Sequence, residues 1–259
     1  MRTFNLELVS RRPTLADRPI AKRVGLVILA TDHTTEVDFQ RMVASDGVGV
    51  YVNRIPYANP TTPENLLAMQ PSLTAGAALI LPGESLDVVM YSCTSASVVI
   101  GDDAIVTAIK QAKPQVEVVT PTTAAVAALR TLGAKRISIL TPYTLETSQL
   151  MAEYFVGTGF DIARFCCLGM VDDREMARIT PEEIIEYAKD ATAADSDALF
   201  ISCTALRSAG AVPRMEAAIG KPVVTSNLAT AWACLRHCND YQSRPELGQL
   251  MTVDVRAET

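Results

Sequence analysis

The chain has 259 residues, of which 49% are hydrophobic and 20% charged, a composition typical of a globular protein with one large or two small domains. Its net charge of −6, without a concentrated basic stretch, disfavours nucleic-acid binding. No apolar run is long enough to span a bilayer. Because residues 1–19 lack the apolar core of a signal peptide, we expect a cytoplasmic protein without nucleic-acid or membrane partners.

Apolar runs typical of buried β-strands alternate with helix-like segments along the chain. The strand-like run at 21–28 is followed by a helix-like segment at 64–69, and the run at 88–91 leads into Ser-Cys-Thr at 92–94. Further on, residues 180–183 supply the capping threonine, first-turn proline and early acids that start a helix. The nearly continuous apolar runs indicate parallel strands buried on both faces.

The second half of the chain repeats the first. Each Ser-Cys-Thr triplet follows an apolar run, and an aspartate, Asp87 or Asp197, stands directly before that run. Other segments recur in the same order. The matching pairs are 21–28 with 134–141, 34–36 with 144–146, 92–94 with 202–204, and 113–120 with 221–225. The repeat is too long for a solenoid and indicates duplication of one α/β lobe.

Alternating strands and helices predict right-handed crossovers and doubly wound sheets. We therefore predict an α/β fold of two pseudo-symmetric lobes with parallel four-stranded sheets and an active site in the cleft between them. Residues 1–120 plus 226–259 form the first predicted lobe, and residues 121–225 form the second. Ligands bind outside the carboxyl ends of such strands, which is where both triplets lie.

Cys93 and Cys203 are the candidate catalytic residues. A thiolate is a base and a nucleophile, and its usual pKa of about 8.5 falls at a helix N-terminus. Each triplet precedes a helix-like segment, so we expect both thiols at helix N-termini, where backbone N–H groups also favour a carboxylate. Two thiols allow either two-base racemisation or cis–trans isomerisation by addition to a double bond. Buried cysteines often only pack, but the repeated context favours catalysis.

The sequence contains little that indicates a cofactor, a metal or further catalytic residues. No glycine-rich nucleotide fingerprint occurs, so we expect no cofactor. Cys234, His237 and Cys238 lack a second ligand cluster, and we predict a helix there and no metal. We interpret His33 as an ordinary loop histidine. Arg207 is predicted to form a surface or lobe-bridging ion pair, with a substrate carboxylate as the alternative partner.

Four segments carry a family resemblance. Tyr-Ser-Cys-Thr-Ser-Ala at 91–96, Ile-Ser-Cys-Thr-Ala-Leu-Arg at 201–207, the strand and turn at 27–36, and Leu-Thr-Pro-Tyr at 140–143 resemble the aspartate/glutamate racemase superfamily. Within it, the chain is similar to the branch of maleate cis–trans isomerase, arylmalonate decarboxylase and the ectoine-utilisation protein. The resemblance implies a cofactor-independent enzyme, commonly a homo-oligomer, with one active-site cysteine from each lobe.

The resemblance also implies residue roles. Cys93 resembles the first-lobe cysteine and Cys203 the second-lobe cysteine. Tyr143 resembles a tyrosine that hydrogen-bonds a substrate carboxylate, whose oxygens backbone N–H groups near both triplets would also hold. The predicted substrate-binding residues are Thr31, Asp32, Thr94, Ser95, Tyr143, Asp173 and Thr204.

Asp32 and the loop that contains Asp173 depart from the maleate isomerase pattern, which has asparagine in both places. An amide can donate a hydrogen bond to a carboxylate, whereas an ionised aspartate cannot. Two aspartates would repel maleate unless they were protonated, and they would suit a substrate with an amine or amide. This favours the ectoine-utilisation branch and a substrate such as an acylated diaminobutyrate. Alternatively, Asp32 caps the following helix and residues 172–173 form a solvated turn.

The predicted function is a cofactor-independent racemase or isomerase that acts on a small carboxylic acid by two-cysteine proton transfer. The substrate expected from the resemblance is an amino-acid derivative of ectoine catabolism. The alternatives are a maleate-type cis–trans isomerase with a covalent cysteine adduct, an arylmalonate-type decarboxylase, which the presence of both cysteines disfavours, and a non-catalytic small-molecule-binding module.

Overall fold

Two parallel four-stranded sheets form the framework of the protein, whose residues 4–253 are described by a computed structural model. The first sheet contains β1 (Lys22–Leu29), β2 (Val48–Ile55), β3 (Val88–Ser92) and β4 (Glu117–Val119), and the second contains β5 (Arg136–Thr141), β6 (Asp161–Cys167), β7 (Ala198–Ile201) and β8 (Val223–Thr225). Their strand orders are β2-β1-β3-β4 and β6-β5-β7-β8. The second order repeats the first, and the predicted α/β fold with two parallel four-stranded sheets is confirmed.

Helices connect the strands, as the parallel pairing requires. They are α1 (Thr35–Met42), α2 (Pro63–Leu67), α3 (Leu73–Ala78), α4 (Thr94–Ile100), α5 (Asp102–Ala112), α6 (Pro121–Thr131), α7 (Leu145–Gly157), α8 (Asp173–Met176), α9 (Pro181–Ala191), α10 (Val212–Ile219) and α11 (Ser226–His237). Short 3-10 turns cover Gln70–Ser72, Ala209–Ala211, Pro245–Leu247 and Gln249–Thr252. The predicted start of α9 is confirmed, because the Thr180 hydroxyl accepts a hydrogen bond from the Glu183 N–H.

The interface between the two sheets is part of the hydrophobic core. One continuous cluster joins Leu26 and Met90 of the first sheet to Ile139 and Phe200 of the second, and all four side chains are buried. Burying a side chain of this size stabilises the fold by roughly 1.5–3 kcal/mol. Helix α11 contacts β3 of the first sheet and β8 of the second and packs on α6, so helices link the two lobes within this cluster.

Helix α11 packs on elements of both sheets. It contacts α1, α6, β3 and β8. The division into residues 1–120 plus 226–259 and residues 121–225 therefore stays a prediction. Between residues 4 and 253, no helix combines the length and the apolar character that crossing a membrane requires.

An aspartate directly precedes each of β3 and β7 and accepts hydrogen bonds from the backbone of the neighbouring strand. Asp87 accepts a hydrogen bond from the Arg23 N–H at 2.9 Å, and Asp197 accepts bonds from the N–H groups of Lys135 and Arg136, both at 2.8 Å. Burial acts to raise the pKa of Asp87, but the bonds from Lys22 and Arg23 outweigh it and hold the pKa below its usual value. The duplicated aspartates thus have a structural role in each lobe.

Asp87→Asn is expected to lower the free energy of unfolding by about 1 kcal/mol at neutral pH, because it weakens bonds to a backbone N–H and to Lys22. A group with a lowered folded-state pKa loses its contribution as pH falls, so the difference from wild type should shrink below about pH 4. Urea denaturation across pH measures it. Asp195→Asn, in an exposed ion pair with Arg136, is the control and should change stability little. A constant difference down to pH 2 would contradict this account.

Candidate active site

The two Ser-Cys-Thr triplets lie at the carboxyl ends of β3 and β7, but their backbones differ. Cys93 is the N-cap residue of α4, as predicted. The helix predicted after Cys203 is wrong: turns follow it, and α10 begins only at Val212. The physical reason is the backbone of Cys203, whose φ of 104° lies in the left-handed region and turns the chain away from a helical path. Strained residues of this kind concentrate at functional sites.

Both thiols line one cavity between the two lobes. The space between its walls is about 340 Å³, part of it open to solvent. Its walls are formed by Leu29, Asp32, Tyr57, Thr61, Cys93, Ser95, Tyr143, Asp173, Met176, Cys203, Thr204 and Ala205. The cavity therefore contains residues from both halves of the duplication, at the sheet edge where a ligand is expected.

Burial raises the pKa of both thiols. It raises the pKa of Cys93 to about 11, against hydrogen bonds from the Ala96 N–H and Ser95 that lower it. It raises the pKa of Cys203 to about 12, against bonds from Tyr143 and the Ala205 N–H. The same donors would stabilise a thiolate once the proton has left. Each sulfur is thus a proton donor that can also become a base or nucleophile.

Asp32 is held by the protein at the start of α1. Its Oδ1 accepts hydrogen bonds from the N–H groups of Thr34 and Thr35, both at 2.8 Å, and its Oδ2 accepts bonds from the hydroxyls of Thr35 at 2.6 Å and Ser92 at 3.2 Å. Burial raises its pKa, and these four bonds oppose that shift. Asp32 thus supports the loop before α1 as well as lining the cavity.

Asp173 is buried in the cavity wall, so the alternative of a solvated turn is wrong at this residue. Its Oδ1 accepts a bond from Asn59 Nδ2 at 2.7 Å, its Oδ2 accepts a bond from the Thr31 hydroxyl, and its own N–H donates to Asn59 Oδ1 at 3.1 Å. Its neighbour Asp172 instead caps α8 and pairs with Arg174 at the surface. Only one of the two adjacent acids faces the cavity.

Ser226, the first residue of α11, fastens the two triplets to each other. Its hydroxyl oxygen accepts a bond from the Thr94 hydroxyl at 2.8 Å and from the Cys203 N–H at 3.1 Å. Thr204 adds a long bond from its hydroxyl to the Ser92 carbonyl at 3.5 Å. These buried bonds cross between the lobes and fix the relative position of the two cysteines.

Most predicted site residues meet in the cavity. Thr31 and Thr94 lie behind its wall, where they hold Asp173 and Ser226. The cavity residues that were not among the predicted site residues are Leu29, Tyr57, Thr61, Met176 and Ala205, and the supporting residues that were missed are Asn59 and Ser226. The loop after β2 carries Tyr57, Asn59 and Thr61. This loop follows the carboxyl end of a parallel strand, where ligands bind, and that position could have identified it as part of the site.

Two other candidate groups lie outside the cavity. His33 is exposed and lines a separate cleft. The Arg207 guanidinium donates to the backbone carbonyls of Arg178 and Ile179, and no ion pair forms at this arginine among residues 4–253. In the same part of the chain, no cluster of three or more His, Cys, Asp or Glu side chains is arranged to hold a metal ion.

Comparison with known proteins identifies the family. The model of the arylmalonate decarboxylase family matches residues 73–251. The chain belongs to the arylmalonate decarboxylase family. Relatives that match over most of its length are maleate isomerases, so this family also includes isomerases. The predicted membership in this branch is confirmed, whereas the ectoine-utilisation resemblance, the homo-oligomer and the cytoplasmic location stay predictions.

Three relatives illustrate the family match. Maleate isomerase of Alcaligenes faecalis is 23% identical over 244 residues, which cover 89% of this chain and 96% of the relative. That of Nocardia farcinica is 25% identical over 244 residues, covering 90% and 96%. A solved Nocardia farcinica maleate cis-trans isomerase variant, with a cysteine replaced by serine and a covalently bound succinylcysteine intermediate, has a TM-score of 0.82 at 24% identity, covering 89% and 98%. This structural likeness supports the fold.

The thiols should resist alkylation at neutral pH in the folded protein. Because burial raises the pKa of Cys93 to about 11, its modification by iodoacetamide should still rise about tenfold per pH unit at pH 9.5. The same thiol in urea-unfolded protein is the control and should level off near pH 9. Peptide mass spectrometry measures both rates. A folded-state plateau below pH 9 would contradict the burial argument.

Ser226→Ala should lower the free energy of unfolding by about 1–3 kcal/mol, because it leaves the Thr94 hydroxyl and the Cys203 N–H without their acceptor. Ser208→Ala is the matched control: the Ser208 hydroxyl is also buried but has no hydrogen-bond partner among residues 4–253. Urea denaturation should show a much smaller change for the control. Equal losses would show that the bonds to Ser226 add nothing.

Proposed function

We propose that this protein is a cofactor-independent isomerase of a small carboxylic acid, which acts by maleate-type cis–trans isomerisation through a covalent cysteine adduct. The observation that carries the proposal is the pair of buried thiols, one from each lobe, in a single cavity. Further support comes from the maleate isomerases to which the chain is similar and from the succinylcysteine intermediate in one of them.

In the proposed reaction, the Cys93 thiol first gives its proton to solvent water, which returns it when the reaction is complete, and its sulfur adds to one alkene carbon. The C–S bond forms as the π bond breaks, and the Cys203 thiol gives its proton to the other carbon. The former alkene carbons are then joined by a single bond, about which the adduct rotates. The Cys203 thiolate removes the proton again, the C–S bond breaks and the double bond reforms as the trans isomer. No electron leaves the system, so no redox cofactor takes part.

The environments of the two sulfurs support this division of roles. Cys93 lies at the N-cap of α4, and the Ala96 N–H and the Ser95 hydroxyl can stabilise its thiolate. Cys203 is followed by turns and not by a helix N-terminus, and burial raises its pKa, so it holds the proton that the role of donor requires.

Two-thiol racemisation is the second candidate function. It uses the same residues as base and acid at the α-carbon of an amino-acid derivative, including the substrate of ectoine catabolism predicted above. The observation that favours it is the buried Asp173 carboxylate in the cavity, which suits a substrate with an N–H donor. It predicts exchange of an α-proton without a covalent adduct.

Cys203→Ser should trap the adduct. The product leaves only after a base removes the added proton again, and a serine hydroxyl does not ionise to replace the Cys203 thiolate in that step, while water can still supply the proton that completes the adduct. After incubation with a cis unsaturated acid, intact-mass and peptide analysis should locate one substrate equivalent on Cys93. Cys93→Ala should show none. Cys166→Ser, a half-buried cysteine of β6 away from the cavity, is the control and should retain wild-type turnover. An adduct confined to Cys203, or none in any variant, would contradict the mechanism.

A further inference from the structure

The cavity that holds the two thiols is acidic and has no cation. Asp32 and Asp173 are its charged residues, and no Lys, Arg or His within the described range 4–253 lines it. Carboxylate ligands are usually bound by arginine or by several aligned donors. A dicarboxylate would bring two negative charges beside Asp173 in a site shielded from solvent, where charge repulsion is strong.

The two aspartates differ in their capacity to bind a ligand. A carboxylate has about four acceptor positions. Asp32 already accepts three hydrogen bonds from Thr34 and Thr35, and the Ser92 hydroxyl, shared with Thr35 Oγ1, lies 3.2 Å from its Oδ2, so protein groups occupy both of its oxygens. Asp173 accepts one side-chain bond on each oxygen and keeps an acceptor position on each. Asp173 is therefore the carboxylate able to accept a bond from a ligand.

Asp173 is also fixed in place. Asn59 both donates to its side chain and accepts from its backbone N–H, and Thr31 holds the other oxygen. The same cavity offers hydroxyl groups from Ser95 and Tyr143, next to the two thiols. A ligand that matches these groups carries a carboxylate for the donors and an N–H group for Asp173.

We propose that Asp173 is a specificity-determining residue that selects a monocarboxylate bearing a carboxamide or ammonium group and rejects a dicarboxylate. The inference deepens the proposed function and rests on it for the carboxylic acid as substrate. Maleamate, the cis monoamide of maleic acid, is the simplest unsaturated compound of this class, and succinamate is its unreactive saturated counterpart.

The direct test measures binding of unreactive ligands by isothermal titration calorimetry. Wild-type protein should bind succinamate at least about tenfold more tightly than succinate, a difference of about 1.4 kcal/mol. Asp173→Asn should abolish or reverse that preference. The asparagine keeps an acceptor for Asn59, and the Thr31 hydroxyl can accept instead of donate, so the wall stays bonded. Asp172→Asn, at the neighbouring half-buried acid that pairs with Arg174 outside the cavity, is the control and should retain the wild-type preference.

Equal binding of the two ligands, tighter binding of succinate, or no binding of either to wild-type protein would overturn the inference. So would a preference that persists in Asp173→Asn. The proposed function is tested separately, by adduct formation on Cys93 with maleamate and maleate. Selective succinamate binding without an adduct would leave the ligand class standing and refute the isomerase mechanism, whereas an adduct formed equally well from maleate would refute only the specificity.

Discussion

The contact that the site depends on is the buried hydroxyl of Ser226, which accepts bonds from the Thr94 hydroxyl and from the Cys203 N–H. Two thiols can act on one molecule only if the strands that carry them end at a fixed separation. A shared apolar core joins the two lobes, but packing alone tolerates small shifts. Directional hydrogen bonds between the two triplets remove that freedom.

Burial has two opposite consequences at this site. It raises the pKa values of Cys93 and Cys203, so the thiols are stored as proton donors and are protected from chance alkylation and oxidation. It also makes a buried charge unfavourable, and yet the cavity wall contains Asp32 and Asp173 and no Lys, Arg or His from residues 4–253. Neutral donors offset that cost: the N–H groups of Thr34 and Thr35 and the Thr35 hydroxyl at Asp32, and two side-chain donors at Asp173. Asp173, which keeps free acceptor positions, is the acid that can discriminate among ligands.

The repeated architecture and the placement of the two cysteines in one site could both be predicted from the sequence. Apolar runs, the opening aspartates and the duplicated triplets depend on local pattern, and parallel topology then places equivalent strand ends together. The left-handed backbone of Cys203 was not predictable, because the identical triplet at Cys93 begins a helix. The different roles of Asp32 and Asp173 also required the structure. They depend on partners distant in the chain, Ser92 for one and Asn59 for the other.

The central claim is that both thiols act on one bound carboxylic acid as nucleophile and proton donor. Proton NMR in deuterated buffer tests it most directly, with maleamate and maleate offered to the wild-type protein and to Cys93→Ala and Cys203→Ala. The account predicts trans vinyl signals from maleamate with the wild-type protein and none with either variant. Isomerisation that survives the loss of Cys93, or wild-type spectra that stay unchanged with both acids, would contradict it.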